Sequence, residues 1–469
     1  MTTTSSFKTL ALAVLLITAN LLPGAEARVG RLELDQEYTE QEQKQQKQKQ
    51  QEQKEQRGLQ SSSIPDSSGA VYVMTNRVGG TGNSVLVFDR DAVDGRLSRV
   101  GLFDTGGLGG IVGVGNGATL PAFAGETPPV VIASPNDALA SQDSLLLSES
   151  GRCLFAVNAG SDTITTFALR NDGRFLDRVD VYPSGGNFPL SVTQRGNTLY
   201  VLNAGGEGNI SGFRYGDRLC TLSPLSGTTR SLDNIDFNPP SLLLAPGQVS
   251  ITPNGKGIIA TVKGTNSIHY WSLSAWGFPR DRQVITPSNG FTPFSFTFDD
   301  NGNLLVAEAF GASTIGSGLA GAVSSYAIND DEGTLRLISG SVPTGQTATC
   351  WIRYSNGIAY TSNNENPTPS ISSFSVDFRG RLALIESAAA DAATGIDRPI
   401  DIDLSDDGEF LYVLNTGTLR NGAATPQISV FRTGGDAGLE LVEAFDQGLP
   451  LSTTSPFDDI EGVFGLAVL

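Results

Sequence analysis

The sequence predicts an all-β chain, a seven-bladed β-propeller with four-stranded blades in which the C-terminal strand closes blade one. Three observations carry this expectation. A short apolar strand ending in Asn or a substitute recurs seven times, at markers 76, 158, 203, 263, 308, 363 and 415. Each copy is followed by an alternating strand, and most sit between an Asx/Gly hairpin and a Gly-x-Leu strand, giving four strands in roughly 45–60 residues. The first copy lacks the strand that precedes the others, while Val463 to Val468 is an apolar strand with no successor.

The elements follow in order. Residues 1–27 have the form of a secretory signal peptide: Lys8, an apolar run from Leu10 to Leu22, and Ala25-Glu26-Ala27 as a small-x-small cleavage site. That run is too short to span a bilayer, and no later stretch is long enough. Residues 28–68 hold a Gln/Lys/Glu tract, Asp35 to Gln56, without one aliphatic side chain, so it cannot supply a core face. Arg57 is either a propeptide processing site or part of a retained tether. Residues 69–469 are the propeller. An exported location and a monomer without a membrane span are expected.

Within the propeller the repeated strand reads Val71 to Asn76, Leu154 to Asn158, Leu199 to Asn203, Ile258 to Lys263, Leu304 to Glu308, Ile358 to Asn363 and Leu411 to Asn415. The alternating partners, such as Thr163 to Phe167 and Ile371 to Phe374, have the period-2 pattern of half-buried strands. Asn254-Gly255, Asn301-Gly302 and Asp407-Gly408 fit hairpin turns that need positive φ. The Asp pairs at 299–300 and 406–407 match no calcium loop and read as hairpin chemistry. The stretch 106–117 has seven glycines but no strand-then-helix setting for a phosphate, so it reads as a long loop on a binding face.

Composition narrows the function. The chain has 31 Lys+Arg against 49 Asp+Glu, a formal net charge of −18, which argues against nucleic-acid phosphate as a partner. Residues 1–57 are charge-balanced, so the whole excess lies on the propeller, where the only lysines are Lys256 and Lys263. One histidine excludes a histidine-rich metal site, and no metal or cofactor is expected. That residue, His269, falls in an alternating strand away from the channel and reads as a packed strand histidine. Without a Gly-x-Ser-x-Gly elbow and with a lone His, no serine-hydrolase triad can be assembled. Cys153, Cys220 and Cys350 allow at most one bridge, and three buried thiols are the favoured expectation. Asn209-Ile210-Ser211 is a glycosylation sequon, with Asn209 the acceptor.

The blade phrase Leu-Tyr-Val-Leu-Asn, its trailing strand and Gly-x-Leu resemble the seven-bladed propellers of the lactonase family. The resemblance is strongest over Gly302 to Glu308, Ala322 to Tyr326 and Gly345 to Trp351, and covers most of 69–469. That family includes 6-phosphogluconolactonase and the carboxymuconate lactonising enzyme (3-carboxymuconate cyclase). It implies lactonase or cycloisomerase-like chemistry at the central channel on a small carboxylated lactone, handled by cations and a carboxylate. Blades of the family often open on a histidine phrase, where this chain has Pro189, Pro246, Pro293 and Pro399.

The catalytic candidates are Glu308 and Lys263, the two charged exceptions to the Asn markers, in adjacent blades. The competing reading is a tolerated surface pair. Arg353 and Arg398, in or just before innermost strands, are the substrate-binding candidates; for Arg398 a structural pair with Asp397 or Asp401 competes. Two functions stay open: a lactonase-like enzyme acting on a small-molecule lactone, and a non-catalytic extracellular propeller binding a protein, polysaccharide or surface.

Overall fold

In the computed structural model the described residues are 69–110, 112, 139–233, 238, 240–242, 244–310, 320–364, 369–418, 423–434, 437–450, 452–453 and 462–469. The expectations for residues 1–68 and for 113–138 of the glycine-rich insertion lie outside them. Chain contacts divide into two units, Met1–Ser67 and Ser68–Leu469, and all described residues belong to the second. No helix among them is long and apolar enough to cross a membrane.

Seven antiparallel sheets carry four strands each, with one further short strand on the third and a separate two-stranded pair, Ala423–Ala424 with Ser452–Thr453. We number the blades 1 to 7 in chain order. Blade 1 is built from Gly69–Thr75, Ser84–Arg90 and Leu97–Asp104, and its innermost strand is Val463–Val468 from the other end of the chain. Val71 pairs with Val468 and Tyr72 with Ala467. Innermost strands pack each on the next, and Val463–Val468 touches both Pro399–Leu404 of blade 7 and Leu145–Leu147 of blade 2. The ring is thereby closed, with blade 1 completed by the last strand of the chain.

The hydrophobic pattern follows from this stacking. Second strands such as Phe410–Asn415 and Cys153–Asn158 are buried on both faces between neighbouring blades, so they read as continuous apolar runs. Fourth strands such as Leu382–Ala390 face solvent and alternate weakly. Tyrosines latch blade to blade: Tyr72 Oη donates to Gly173 O, Tyr200 Oη to Gly277 O and Tyr412 Oη to Gly95 O, each acceptor in the outer turn of the next blade.

Innermost strands open in a repeated way. Phe188, Thr292, Ala348 and Arg398 have φ of 57°, 59°, 53° and 58°, and each stands immediately before an innermost strand. Their carbonyls accept from the residue after the marker: Ala204, Ala309, Asn364 and Thr416. A bulge follows at once, at Pro189/Ser191, Pro293/Phe296, Thr349/Trp351 and Pro399/Asp401. Proline fits there because the first residue of a strand needs no ladder N–H.

Two expectations are corrected. Cys153 and Cys220 form a disulfide, with Cα atoms 5.7 Å apart, between blade 2 and blade 3; Cys350, also buried, lies outside that bridge. The register also moves the blade 4 marker. Asn203 pairs with Asn209 in its third strand and Glu308 with Ala322, whereas in blade 4 it is Val262 that pairs with the equivalent Ser267. Lys263 therefore stands one residue beyond the marker ring.

Candidate functional site

The marker residues form a buried polar ring near the face where innermost strands begin, called here the upper face. Asn158, Asn203, Asn363 and Asn415 are fully buried. Each ties its second strand to the third, as when Asn363 Nδ2 donates to Ser370 Oγ and Ser372 Oγ while its Oδ1 accepts from Thr349. Glu308 takes the same place in blade 5. Its Oε1 accepts from Ser288 Oγ and Gly290 N–H, and its Oε2 from Ser341 Oγ. Burial pushes the carboxyl above its usual range, and the hydroxyl and amide donors oppose that only in part.

Lys263 is also buried, which corrects the reading of these two residues as a surface pair. Being one position past the ring, it points away from Glu308's surroundings. Its Nζ donates to Ala140 O at 2.7 Å and sits 4.4 Å from the Phe294 ring centroid. The carboxylate and the ammonium are not brought together.

Lys263 instead anchors a strap of chain. Residues 139–144 run into Leu145–Leu147 of blade 2 and cross the upper half of the channel. Ser141 Oγ donates to Leu190 O in blade 3, and the Gln142 backbone N–H to Gly247 O in blade 4. The Gln142 amide pairs with both backbone groups of Ile352 in blade 6, and Trp351 Nε1 donates to Ser141 O. Ala140, Ser141 and Gln142 have no exposed surface. Ala140 and Asp143 have φ of 52° and 60°, an uncommon conformation for non-glycine residues that is held here by contacts from several blades.

Below the strap lies a cavity of about 290 Å³, lined by residues of six innermost strands. Its polar end is built on Arg353. Nη2 donates to Asp143 Oδ1 at 2.7 Å and Nε to Asp403 Oδ1 at 2.9 Å. Asp143 Oδ2 accepts from Gln248, whose own Oε1 accepts from Phe296 N–H; Asp403 Oδ2 accepts from Val468 N–H. Asp401 is fully buried beside them and accepts from the Ile402 and Leu466 amides.

The electrostatics are those of one cation among three carboxylates. Burial alone would lower the Arg353 pKa, but Asp143, Asp403 and Asp401 outweigh it and raise it, so the guanidinium stays charged. Burial drives Asp401 well above the usual carboxylate range, against the pull of Arg353. Asp403 rises for the same reason, more moderately. The side chains of Arg353 and Asp403 keep 16% and 21% of their surface exposed, so both reach the cavity. Arg353 Nη1 has no hydrogen-bond partner among the described residues and is not sealed in, which leaves it as a donor aimed at a guest.

Of the sequence candidates, Arg353 is thus in the cavity, while Glu308, Lys263 and Arg398 lie toward the upper face. Arg398 is half-buried and forms no salt bridge with a described carboxylate; the neighbouring Asp397 accepts from Thr418 instead. Asn209 opens the third strand of blade 3, half-buried, with Oδ1 accepting from Asn203 and Ser211. His269 is buried between Ser267 Oγ and Gln283 Oε1, and burial lowers its pKa, keeping the imidazole neutral. Asp299 and Asp407 accept from the N–H groups of their own hairpins. Sequence reasoning missed Asp143, Asp401, Asp403 and Gln248. The Asp401-x-Asp403 spacing, which puts two carboxylates on one face of an innermost strand, was the available signal.

No protein-family model and no curated protein matches the chain. Solved structures do. A candidate 6-phosphogluconolactonase from Bacteroides uniformis aligns over 86% of this chain and 100% of its own, with a TM-score of 0.58 and 18% identity. The periplasmic gluconolactonase of Pseudomonas aeruginosa aligns over 84% and 99%, with a TM-score of 0.53 and 16% identity. A hypothetical selenium-binding protein from Sulfolobus tokodaii aligns over 87% and 94%, at 0.53 and 13%. The chain has the fold of the lactonase-type propellers, a fold that does not by itself choose an activity.

Proposed function

We propose that this chain is a lactone hydrolase whose active site is the channel cavity, with Arg353 and Asp403 as its catalytic residues. The observation that carries the reading is the Arg353 guanidinium, fixed on two edges by Asp143 and Asp403 with Nη1 left to the cavity. A donor held rigid before the substrate arrives is the arrangement that stabilises a developing oxyanion. Asp403, cavity-facing and with a raised pKa, suits a general base. The fold likeness to lactonases agrees with it.

The steps follow from these positions. The lactone carbonyl oxygen accepts from Arg353 Nη1. Asp403 takes a proton from water as the water oxygen bonds to the carbonyl carbon. The tetrahedral intermediate collapses, the ring C–O bond breaks, and Asp403 returns the proton to the leaving oxygen, yielding a hydroxy acid. Asp143 and Gln248 hold the guanidinium in place. Export from the cell belongs to the same proposal, supported by the signal-like residues 1–27 and by the Cys153–Cys220 disulfide.

A panel of lactones with acid release as readout tests this. Arg353→Lys, which keeps the charge but loses the fork, is expected to cut kcat about 100-fold. Equal turnover by wild type and variant, or none by wild type, rejects the assignment.

A further inference from the structure

We propose that the lactone accepted here is uncharged and carries an apolar body, neither a phosphate or carboxylate nor a set of hydroxyls. This rests on the lactone chemistry proposed above and names its substrate class.

Charge is the first argument. Asp143, Asp401 and Asp403 surround a single guanidinium. With Asp401 left out of the count, Asp143 and Asp403 still set two carboxylates against the one guanidinium. Among the described residues no further cation lines the cavity. An anionic substituent would enter a partly desolvated space beside these carboxylates while the one guanidinium is engaged by the lactone carbonyl. The product turns the same feature to advantage: hydrolysis creates a carboxylate, which the cluster repels, so a neutral substrate enters and an anion leaves.

Hydrogen-bonding capacity is the second. The Gln248 amide is committed on both atoms, to Asp143 and to Phe296. Ser250 Oγ donates to Ile251 O. Among the described lining side chains, the donor groups that bond nothing else are Arg353 Nη1 and the Thr297 hydroxyl. A sugar lactone would bury several hydroxyl oxygens with few donors to meet them, each unmet acceptor costing about 1–3 kcal/mol. The rest of the lining is Leu145 to Leu147, Phe296, Phe298 and Val468, which suits an alkyl or aryl substituent. At about 290 Å³ the space is at the small end for ligand cavities, so one ring and a short chain fill it.

Three δ-lactones test the proposal with the full-length protein: one with a pentyl side chain, δ-gluconolactone, and one with a carboxylate side chain. The pentyl lactone is expected to show kcat/KM at least tenfold above the other two. Comparable or faster turnover of either of those overturns the proposal. If none is hydrolysed the catalytic reading fails by itself, and calorimetric binding of the corresponding non-hydrolysable lactams then decides the preference. Tighter binding of the pentyl lactam supports it; equal or tighter binding of the carboxylated lactam, or no binding of either, overturns it. Asp143→Asn should narrow the discrimination against the carboxylated ligand about tenfold. Ser250→Lys, which adds a cation to the wall without touching the Arg353 pairs, should shift preference the same way if Asp143→Asn does not fold. A folded Ser250→Lys protein with unchanged preference refutes the charge argument.

Discussion

Removing the Cys153–Cys220 bridge is the sharpest test of how the blades are held. The bond joins the first residue of blade 2's second strand to the outer turn of blade 3, closing a loop of 67 residues. Restricting a loop of that length in the unfolded chain is worth about 4 kcal/mol. Both half-cystines are buried, and Tyr215 Oη donates to Cys153 Sγ and Asp217 beside the bridge. Cys153→Ala/Cys220→Ala should therefore unfold in urea at a midpoint roughly 1 M lower than wild type, for a slope of a few kcal/mol/M. Adding reductant should move wild type to about the same place and leave the double variant unmoved. Thiol titration of the unfolded, non-reduced protein should find one reactive thiol, Cys350, and three after reduction. Three thiols before reduction, or a wild-type midpoint indifferent to reductant, would refute the reasoning.

Other outcomes follow from single contacts. Glu308→Gln preserves the shape and leaves the three donors a neutral acceptor. Because the folded pKa of Glu308 is raised, its contribution favours the folded state fully below the usual glutamate pKa and fades as pH climbs through the folded value, about 1.4 kcal/mol for each unit between them. The variant should remove that fade, raising the melting temperature at pH 7 relative to pH 4, with hydrolysis retained; a pH–stability curve identical to wild type contradicts this. Gly173→Ala places a methyl on a backbone at φ 83° and against Tyr72 Oη, so it should cost about 1–3 kcal/mol in denaturant unfolding. Tyr72→Phe, which deletes only the donor to Gly173 O, should cost about 1 kcal/mol. Lys263→Met removes the buried bond to Ala140 O and should loosen the strap, read as faster amide exchange at Ser141 and Gln142 without loss of the propeller's circular dichroism; unchanged exchange would show that blades 3 and 6 hold the strap unaided.

The propeller was legible because its physics repeats. Every blade buries its second strand on both faces, so the same apolar run returns, and a ring needs its last strand at one end when it lacks its first at the other. The site was legible only in part, and the reasons are specific. Aligning Lys263 with the Asn markers assumed equal spacing, yet strand pairing puts Val262 in the ring, and one residue turns a side chain to the opposite face. Glu308 looked like an exposed catalytic departure, but a carboxylate can replace an amide wherever all its neighbours donate, as Ser288, Gly290 and Ser341 do. The partners of Arg353 lie 210 and 50 residues away along the chain, one on the innermost strand of blade 7 and one on the approach to that of blade 2. No local pattern links them; only closure of the ring does. Asp143 shows the limit most clearly. It stands after the glycine-rich insertion, outside any repeat phrase, and acquires its role because the strap before blade 2 enters the channel rather than passing over it.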